Sequence, residues 1–439
     1  MIRTWVISSL IFTAQAATYG YLKALVYNVA GLPDALSSSD PSENTPYISQ
    51  RLGNYDLINV QEDFNHHKAL YASDSHPHRT PTSGGVPWGD GLNTLSNFRF
   101  IDFTRTAWND CYINSGDCLT PKGFTAMRME LYPHTWVDVY NFHTDAGSEA
   151  GDLNARRKNV DQIVEYMKTF SAGMPVVMMG DTNMRYTTIS DSIRAFVSGV
   201  GAADAWVQYR KGGAPPEENG QALVCPFPFA NTITDQPTLT ACETVDKILY
   251  RSSPVLTLNV VDMTNEHRAF LHPTTGVPLS DHYPLSVTFE WSPGKLRLSD
   301  IAGGPHGNHY NDIPALSAGS ITPTITTLTL SGGNRVDRIS ASYDSIDAIT
   351  HGGGGGRALS ITLDPGEAIV GVYACSGKKD GHTRVFYLKV TTSTTRTLEV
   401  GKTTDDCVNM APPGNGFRVV GFWGRSGDEI DRVGVVWGK

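Results

Sequence analysis

No run of roughly 20 apolar residues, the length a membrane-crossing helix needs, occurs in this chain of 439 residues. An excess of positive charge is missing too. Lys and Arg number 35 against 44 Asp and Glu, a net charge of −9, which excludes a strongly cationic binder of nucleic acid or anionic membrane acting through bulk electrostatics. A local phosphate site stays open. Cysteine is scarce, six in all, and none of the spacings is the C-x-x-C of a zinc or redox site. Helical patterning is absent after about residue 300, where Gly, Thr and alternating strands take over.

What is present is a chain long enough for two or three cores, with 40% hydrophobic residues and 43 Gly and 25 Pro spread between short β-rich runs. Arg3, the apolar run Trp5–Phe12 and Ala14-Gln15-Ala16 match the three parts of a secretory signal peptide, expected over residues 1–16. Secretion fits the cysteines, which read as neighbour pairs: Cys111 with Cys118, Cys225 with Cys242, and Cys375 with Cys407. A first domain is expected over residues 17–291, a linker over 292–299 around Ser292-Pro293-Gly294, and a second domain over 300–439. Residues 1–299 carry −8 of the net charge and the remainder −1.

In the first domain, Leu25–Val29, Leu57–Val60, Val137–Phe142, Val176–Met179 and Ile248–Tyr250 read as strands that run into polar residues. Val160, Ile163, Val164 and Met167 fall on one helical stripe, and Leu285, Val287, Phe289 and Trp291 alternate as a half-buried strand, so a layered α/β domain is expected. Polar clusters sit at the strand ends and supply Asn28, Glu62, His143, Asp181, Asn183, Asp281 and His282. Their joint order suits hydrolysis of a phosphodiester or phosphomonoester. A hard cation such as Mg²⁺, or Mn²⁺ or another divalent ion, prefers oxygen ligands: Glu62, with Asn28 and Asp281 as partial or water-mediated ones. His282, oriented by Asp246, is the expected base; Asp181 and Asn183 would position water and a non-bridging oxygen, and His143 would donate to the phosphoryl group or the leaving oxygen.

This ordered set resembles the endonuclease/exonuclease/phosphatase superfamily, which implies a four-layer α/β sandwich with two central sheets and a metal-dependent site at one edge. Asn28-Val29-Ala30-Gly31-Leu32-Pro33 and Pro121-Lys122-Gly123-Phe124 are similar to neutral sphingomyelinases, so a phospholipid headgroup is the favoured substrate. Gly180-Asp181-Thr182-Asn183-Met184-Arg185 also resembles inositol-phosphate phosphatases, with Arg185 as a holder of an extra phosphate. An extracellular nuclease like deoxyribonuclease I stays open as well, although Arg156-Arg157-Lys158 is its one tight basic cluster and opens an amphipathic helix. The long apolar hairpin that secreted bacterial sphingomyelinases use for membrane entry is not seen.

After residue 300, the strand patterns Leu328/Leu330, Ile339/Ala341/Tyr343, Leu359/Ile361/Leu363 and Val433/Val435/Trp437 alternate with Ser, Thr, Gly or charged residues. Gly303-Gly304, the run Gly352–Gly356, and Gly427-Asp428-Glu429-Ile430-Asp431 resemble jacalin-related lectins in order. The resemblance implies an all-β prism of three sheets and carbohydrate binding through Gly304, Gly427 and Asp431.

Overall fold

The computed structural model describes residues 20–439; the signal peptide expected over residues 1–16 lies outside them. The first part has twelve strands: β1 (Gly20–Asn28), β2 (Leu57–Gln61), β3 (His78–Arg79), β4 (Asn93–Ser96), β5 (Phe100–Ala107), β6 (Gly123–Tyr132), β7 (Thr135–His143), β8 (Val176–Asp181), β9 (Ala203–Asp204), β10 (Asp246–Arg251), β11 (Leu256–Asn265) and β12 (Leu285–Pro293). They form two six-stranded sheets, ordered β11-β12-β1-β2-β4-β3 and β5-β6-β7-β8-β10-β9. Leu22, Ala24, Val26 and Leu57 from the first sheet share one buried cluster with Val137, Val139, Val177 and Met179 from the second. That burial holds the sheets face to face. Buried amides add specificity to the contact: Asn59 donates to the carbonyls of Tyr140 (2.8 Å) and Met179 (3.2 Å), and Asn141 to those of Val60 (2.9 Å) and Asn93 (3.0 Å).

The helix Ala150–Phe170 covers one outer face, with Val160, Ile163, Met167 and Phe170 buried and Val164 at the stripe's margin. Glu149 and Asp152 form a capping box at its start. The basic cluster at its head is not one cationic face. Arg156 turns inward to Asp191 (3.0 Å) and to the carbonyls of Asp145 and Gly147, and Lys158 pairs with Asp110 (2.5 Å).

The second part has three four-stranded antiparallel sheets packed around one apolar core, the prism expected from the sequence. Four of its strands follow the patterns read above: Ile325–Gly332, Val336–Tyr343, Arg357–Thr362 and Ile430–Gly438. Arg357–Thr362 is the exception in its packing, since only Ile361 is buried and Leu359 is exposed; the strand lies at a sheet edge. All three neighbour disulfides are formed.

Residues 292–299, expected as a linker, are mostly strand. β12 ends at Pro293, and the next strand begins at Leu296, whose N–H donates to the carbonyl of Pro254. The two parts share a buried contact in which Trp136, Met174 and Val255 meet Leu298, Ile313, Val420 and Trp423. The Arg128 guanidinium, paired with Asp138 at 2.7 Å, lies over the Trp423 ring at 5.2 Å. Asp102 reaches across to Arg432 and Arg425, and Arg99 to Asp300.

Candidate active site

Strand register alone gathers most of the expected residues. β7 runs parallel to β8 and sets His143 beside Asp181, while β10 runs antiparallel to β8 and sets Asp246 opposite the same Asp181. Three functional side chains therefore form one row at the end of the second sheet. In the first sheet β1 and β2 are parallel, so Asn28 and Glu62 end neighbouring strands on the facing side. Asn28 bridges the two rows: its amide NH₂ donates to Glu62 Oε1 (2.9 Å) and to Asp181 Oδ2 (3.3 Å).

The strand ends are strained where they meet. Ala30, Glu62 and Asn183 all have φ near +50° to +60°, a conformation non-glycine residues seldom adopt. Gly31 and Gly91 flank Glu62 so closely that a Cβ on Gly31 would lie 2.5 Å from the Glu62 carbonyl, and one on Gly91 would press on Phe64. This packing fixes the direction of the Glu62 side chain.

His282 enters from the start of β12 and binds Asp246 through Nδ1, at 3.0 and 3.2 Å to the two carboxylate oxygens; its Nε2 lies 3.7 Å from Asp181 Oδ2. Burial works against a charged imidazole here, but Asp246 and Asp181 outweigh it and hold the His282 pKa well above its ordinary value. On Asp181, burial is likewise overcome by the two imidazoles and Lys122, which keep its carboxyl low. Burial dominates at Glu62 and Asp246 and raises both. His143 is pushed down to about 3 by burial and the Lys122 charge, so it is neutral near pH 7. Its Nε2 sits 3.4 Å from Asp181.

Two of the expected metal ligands are placed differently from the expectation. The Asn28 oxygen accepts from Ala30 N–H (3.1 Å), so the amide offers donors to the centre and acts as a bridge between acids. Asp281 is exposed, its carboxylate hydrogen-bonded by Ser38 and Ser280, and it lines a neighbouring recess rather than the central cavity. Asn183 is in place, its N–H on Asp181 Oδ1 (2.9 Å). Arg185 does not line the cavity.

The central cavity, about 580 Å³, is lined by Glu62, His143, Asp181, Asn183 and His282 on one side and by Leu32, Leu36, Phe64, Val86, Pro87 and Leu119 on the other. Lys122 also lines it and was given no role from the sequence. It pairs with Asp117, and its charge is felt by Glu62, His143 and Asp181. The Pro121-Lys122-Gly123-Phe124 segment was the available signal. Gly123 starts β6 where a Cβ would strike the Thr106 carbonyl, which sets Lys122 just outside the sheet and facing the row.

In the second part Gly304, Gly427 and Asp431 do come together. Gly304 N–H donates to the Asp431 carbonyl (2.8 Å), and a Cβ on Gly427 would lie 3.9 Å from the Asp431 carboxylate. The Asp431 side chain is buried and ion-paired with Arg384. Glu429 is held by Arg335 at 2.5 Å and by Lys379 at 3.4 Å. The five-glycine loop packs alongside: Gly353 N–H donates to the Asp337 carbonyl (2.9 Å), and its Cα approaches the Asp428 backbone too closely for a side chain.

Two facing mixed sheets with acids and imidazoles converging at their strand ends define a phosphoesterase-type α/β sandwich, here joined to a β-prism. The chain belongs to Endonuclease/Exonuclease/phosphatase family 2, whose model matches residues 44–288, and a jacalin-like lectin domain model matches residues 299–436. A sphingomyelinase of Mycobacterium tuberculosis is 39% identical over 281 residues, covering 62% of this chain and 53% of its own length. The chain thus spans about half the length of the curated relatives it matches. Among solved structures, sphingomyelinase C from Streptomyces griseocarneus is 18% identical with a TM-score of 0.43, covering 61% of this chain and 99% of its own. A mannose binding jacalin related lectin from Ananas comosus is 20% identical with a TM-score of 0.29, covering 33% and 99%.

Proposed function

We propose that the chain is a secreted, divalent-cation-dependent phosphodiesterase of the sphingomyelinase C type, acting on a phospholipid headgroup and brought to glycan-bearing surfaces by its lectin part. The observation that carries the reading is the cavity itself, with a row of acids and imidazoles facing an apolar wall. A diester joined to a greasy alcohol needs both sides. The similarity to sphingomyelinases supports the headgroup, and the three disulfides support an oxidising compartment.

The donor set fits a hard cation. Glu62 is a carboxylate whose burial disfavours its charge and to which, among the described residues, the Asn28 amide is the one side-chain hydrogen-bond donor, so a cation such as Mg²⁺ or Mn²⁺ would relieve it. Asp181, Asp246 and His282 also lie close enough to share an ion, but the hydrogen bonds from His282 to Asp246 and from Asn183 to Asp181 already account for their geometry. Glu62 is therefore the residue assigned to hold the cation. When bound there, it would neutralise charge and polarise a phosphoryl oxygen.

The remaining work falls to the chain's own groups. In its neutral form, which the raised pKa confines to the upper part of the pH range, His282 Nε2 takes the proton from the attacking water, and Asp246 on Nδ1 fixes the tautomer and stabilises the imidazolium that forms. Asp181 and Asn183 orient the water and a non-bridging oxygen. His143, neutral and close to Asp181, donates a hydrogen bond to the leaving oxygen, which takes its proton from solvent, and Lys122 places a positive charge on the phosphate side. In the second part Gly304, Gly427 and Asp431 are proposed to hold sugar hydroxyls, with the Arg384 guanidinium displaced from Asp431 on binding. Tethering a weak lectin raises the local concentration of the enzyme at such surfaces.

The test is a panel of sphingomyelin, phosphatidylcholine, plasmid DNA and an inositol polyphosphate, each with Mg²⁺ and with chelator. Phosphocholine released from sphingomyelin only with Mg²⁺ is the expected outcome. Nicked plasmid without phosphocholine would make the protein a nuclease instead.

A further inference from the structure

Around the mouth of the catalytic cavity, large apolar side chains stand in water. Trp88 is 83% exposed, Leu36 69%, Leu119 65% and Ile113 62%. They come from three separate loops, and Leu36, Leu119 and Trp88 line the cavity or the recess beside it. Leu36 and Leu119 line the central cavity, and Trp88 lines an adjoining recess of about 340 Å³ that shares Pro87, Leu119 and Lys122 with it. Ile113 rides on the same loop as Leu119, closed by Cys111–Cys118.

These tips are held outward by built loops. Trp88 and Gly89 N–H both donate to the Gly85 carbonyl (3.0 and 2.9 Å), Ser83 binds Asp90 (2.7 Å), and Asp90 is anchored by Arg105 (2.7 Å). Leu36 N–H donates to the Pro33 carbonyl at 2.7 Å. An indole fixed at such exposure has no folding gain to explain it, since its apolar surface remains hydrated. Charge selects the kind of partner. Lys122 is the one Lys or Arg among the residues lining the two cavities, and Asp117 already pairs with it, so the rim offers no track for a polyanion. Apolar tips on three loops beside a phosphoryl site, with the one Lys there paired to Asp117, suit an interface in which phosphate lies just above hydrocarbon.

We propose that this rim is a docking face for the surface of a phospholipid bilayer, with Trp88, Ile113, Leu36 and Leu119 entering the interfacial layer so that the headgroup meets the cavity without leaving the membrane. The inference rests on the phospholipid reading of the same site. It gives the chain an entry device on the loops around Leu36, Trp88 and Ile113, in place of a long apolar hairpin. Among the described residues no helix is long and apolar enough to cross a membrane.

The test uses the full chain and the double variant Trp88→Ala/Ile113→Ser, whose residues line the adjoining recess and the outer loop but not the central cavity. Ile321→Ser serves as control, an equally exposed site (82%) in the lectin part. Flotation with vesicles of equal parts sphingomyelin and phosphatidylcholine is measured beside turnover of short-chain sphingomyelin kept below its micellar concentration. The double variant should lose about tenfold or more in vesicle binding and vesicle hydrolysis, from the apolar area withdrawn. Turnover of the monomeric substrate should be unchanged, as should every readout for Ile321→Ser. Vesicle binding equal to wild type in the double variant overturns the proposal, as does an equal loss on monomeric substrate. So does a wild-type dimer in sedimentation that the double variant dissolves, which would make a second copy the occupant. A wild-type chain that floats through Trp88 and Ile113 but cleaves neither substrate would leave the docking face standing and defeat the sphingomyelinase reading.

Discussion

Removing the carboxylate behind the proposed base is the sharpest perturbation of the catalytic row. Asp246 approaches His282 Nδ1 at 3.0 Å, and both side chains are largely shielded from solvent. At that distance two unit charges attract by about 5 kcal/mol with an effective dielectric of about 20. Only part of the imidazolium charge has developed in the transition state, so Asp246→Ala should lose about 2–4 kcal/mol of its stabilisation, or about 30- to 10³-fold in kcat. His282→Ala should lose about 10²- to 10⁴-fold. Because Asp246 acts through the imidazole, the double variant should be no slower than His282→Ala alone, and the coupling energy should match the Asp246 effect. The assay is kcat on a soluble chromogenic phosphocholine ester at saturating Mg²⁺, with thermal melts to show that each variant is folded. Losses that multiply in the double variant would refute the orienting role, as would a wild-type rate for Asp246→Ala.

Three further outcomes follow from other parts of the molecule. Asp102 is buried, which alone would raise its pKa, but Arg432, Arg128 and Arg425 hold it below the usual carboxylate range. Its contribution to stability is therefore complete above its unfolded pKa of about 3.9 and fades as pH falls through the lower folded value; Asp102→Asn should cost about 3–5 kcal/mol in urea unfolding at pH 7, and the deficit should shrink as the pH falls through that lower folded value. Replacing Cys225 and Cys242 by Ala opens a loop with a sequence separation of 17 and should lower stability by about 3 kcal/mol, read as a lower urea midpoint. Arg384→Ala frees the Asp431 carboxylate and should strengthen retention on immobilised mannose or related sugars, whereas unchanged or weaker retention would place sugar binding elsewhere.

Much of this was readable before any coordinates. Strand ends announce themselves as apolar runs that turn polar, and the order of Asn28, Glu62, His143, Asp181, Asp246 and His282 along those ends carries the likeness to the family. Register explains why they meet: β8 lies between β7 and β10, so His143 and Asp246 flank one carboxylate. Partner choice was less legible, because it depends on side-chain direction after folding. Asp281 adjoins His282 in sequence yet turns to Ser38, and the Asn28 amide is committed by Ala30 N–H. Lys122 carried its signal in a short segment, but its role needed the neighbouring charges. Arg156 read as part of a tight basic cluster at a helix start and is buried, because Asp191, 35 residues away, and the carbonyls of Asp145 and Gly147 satisfy its guanidinium. The linker vanished for a similar reason, since Leu296 and Leu298 find an apolar partner surface only in the folded first part.

The central claim is that Glu62 holds a divalent cation whose presence the phosphodiesterase reaction requires. Phosphorus NMR of sphingomyelin incubated with the full chain tests it directly, with Mg²⁺ titrated against the wild type and Glu62→Gln. The account predicts a phosphocholine resonance that rises with Mg²⁺ in the wild type, disappears with chelator, and is reduced at least about 10³-fold in Glu62→Gln at any Mg²⁺ concentration. Phosphocholine produced at the wild-type rate by Glu62→Gln, or by the wild type in chelator, would contradict it.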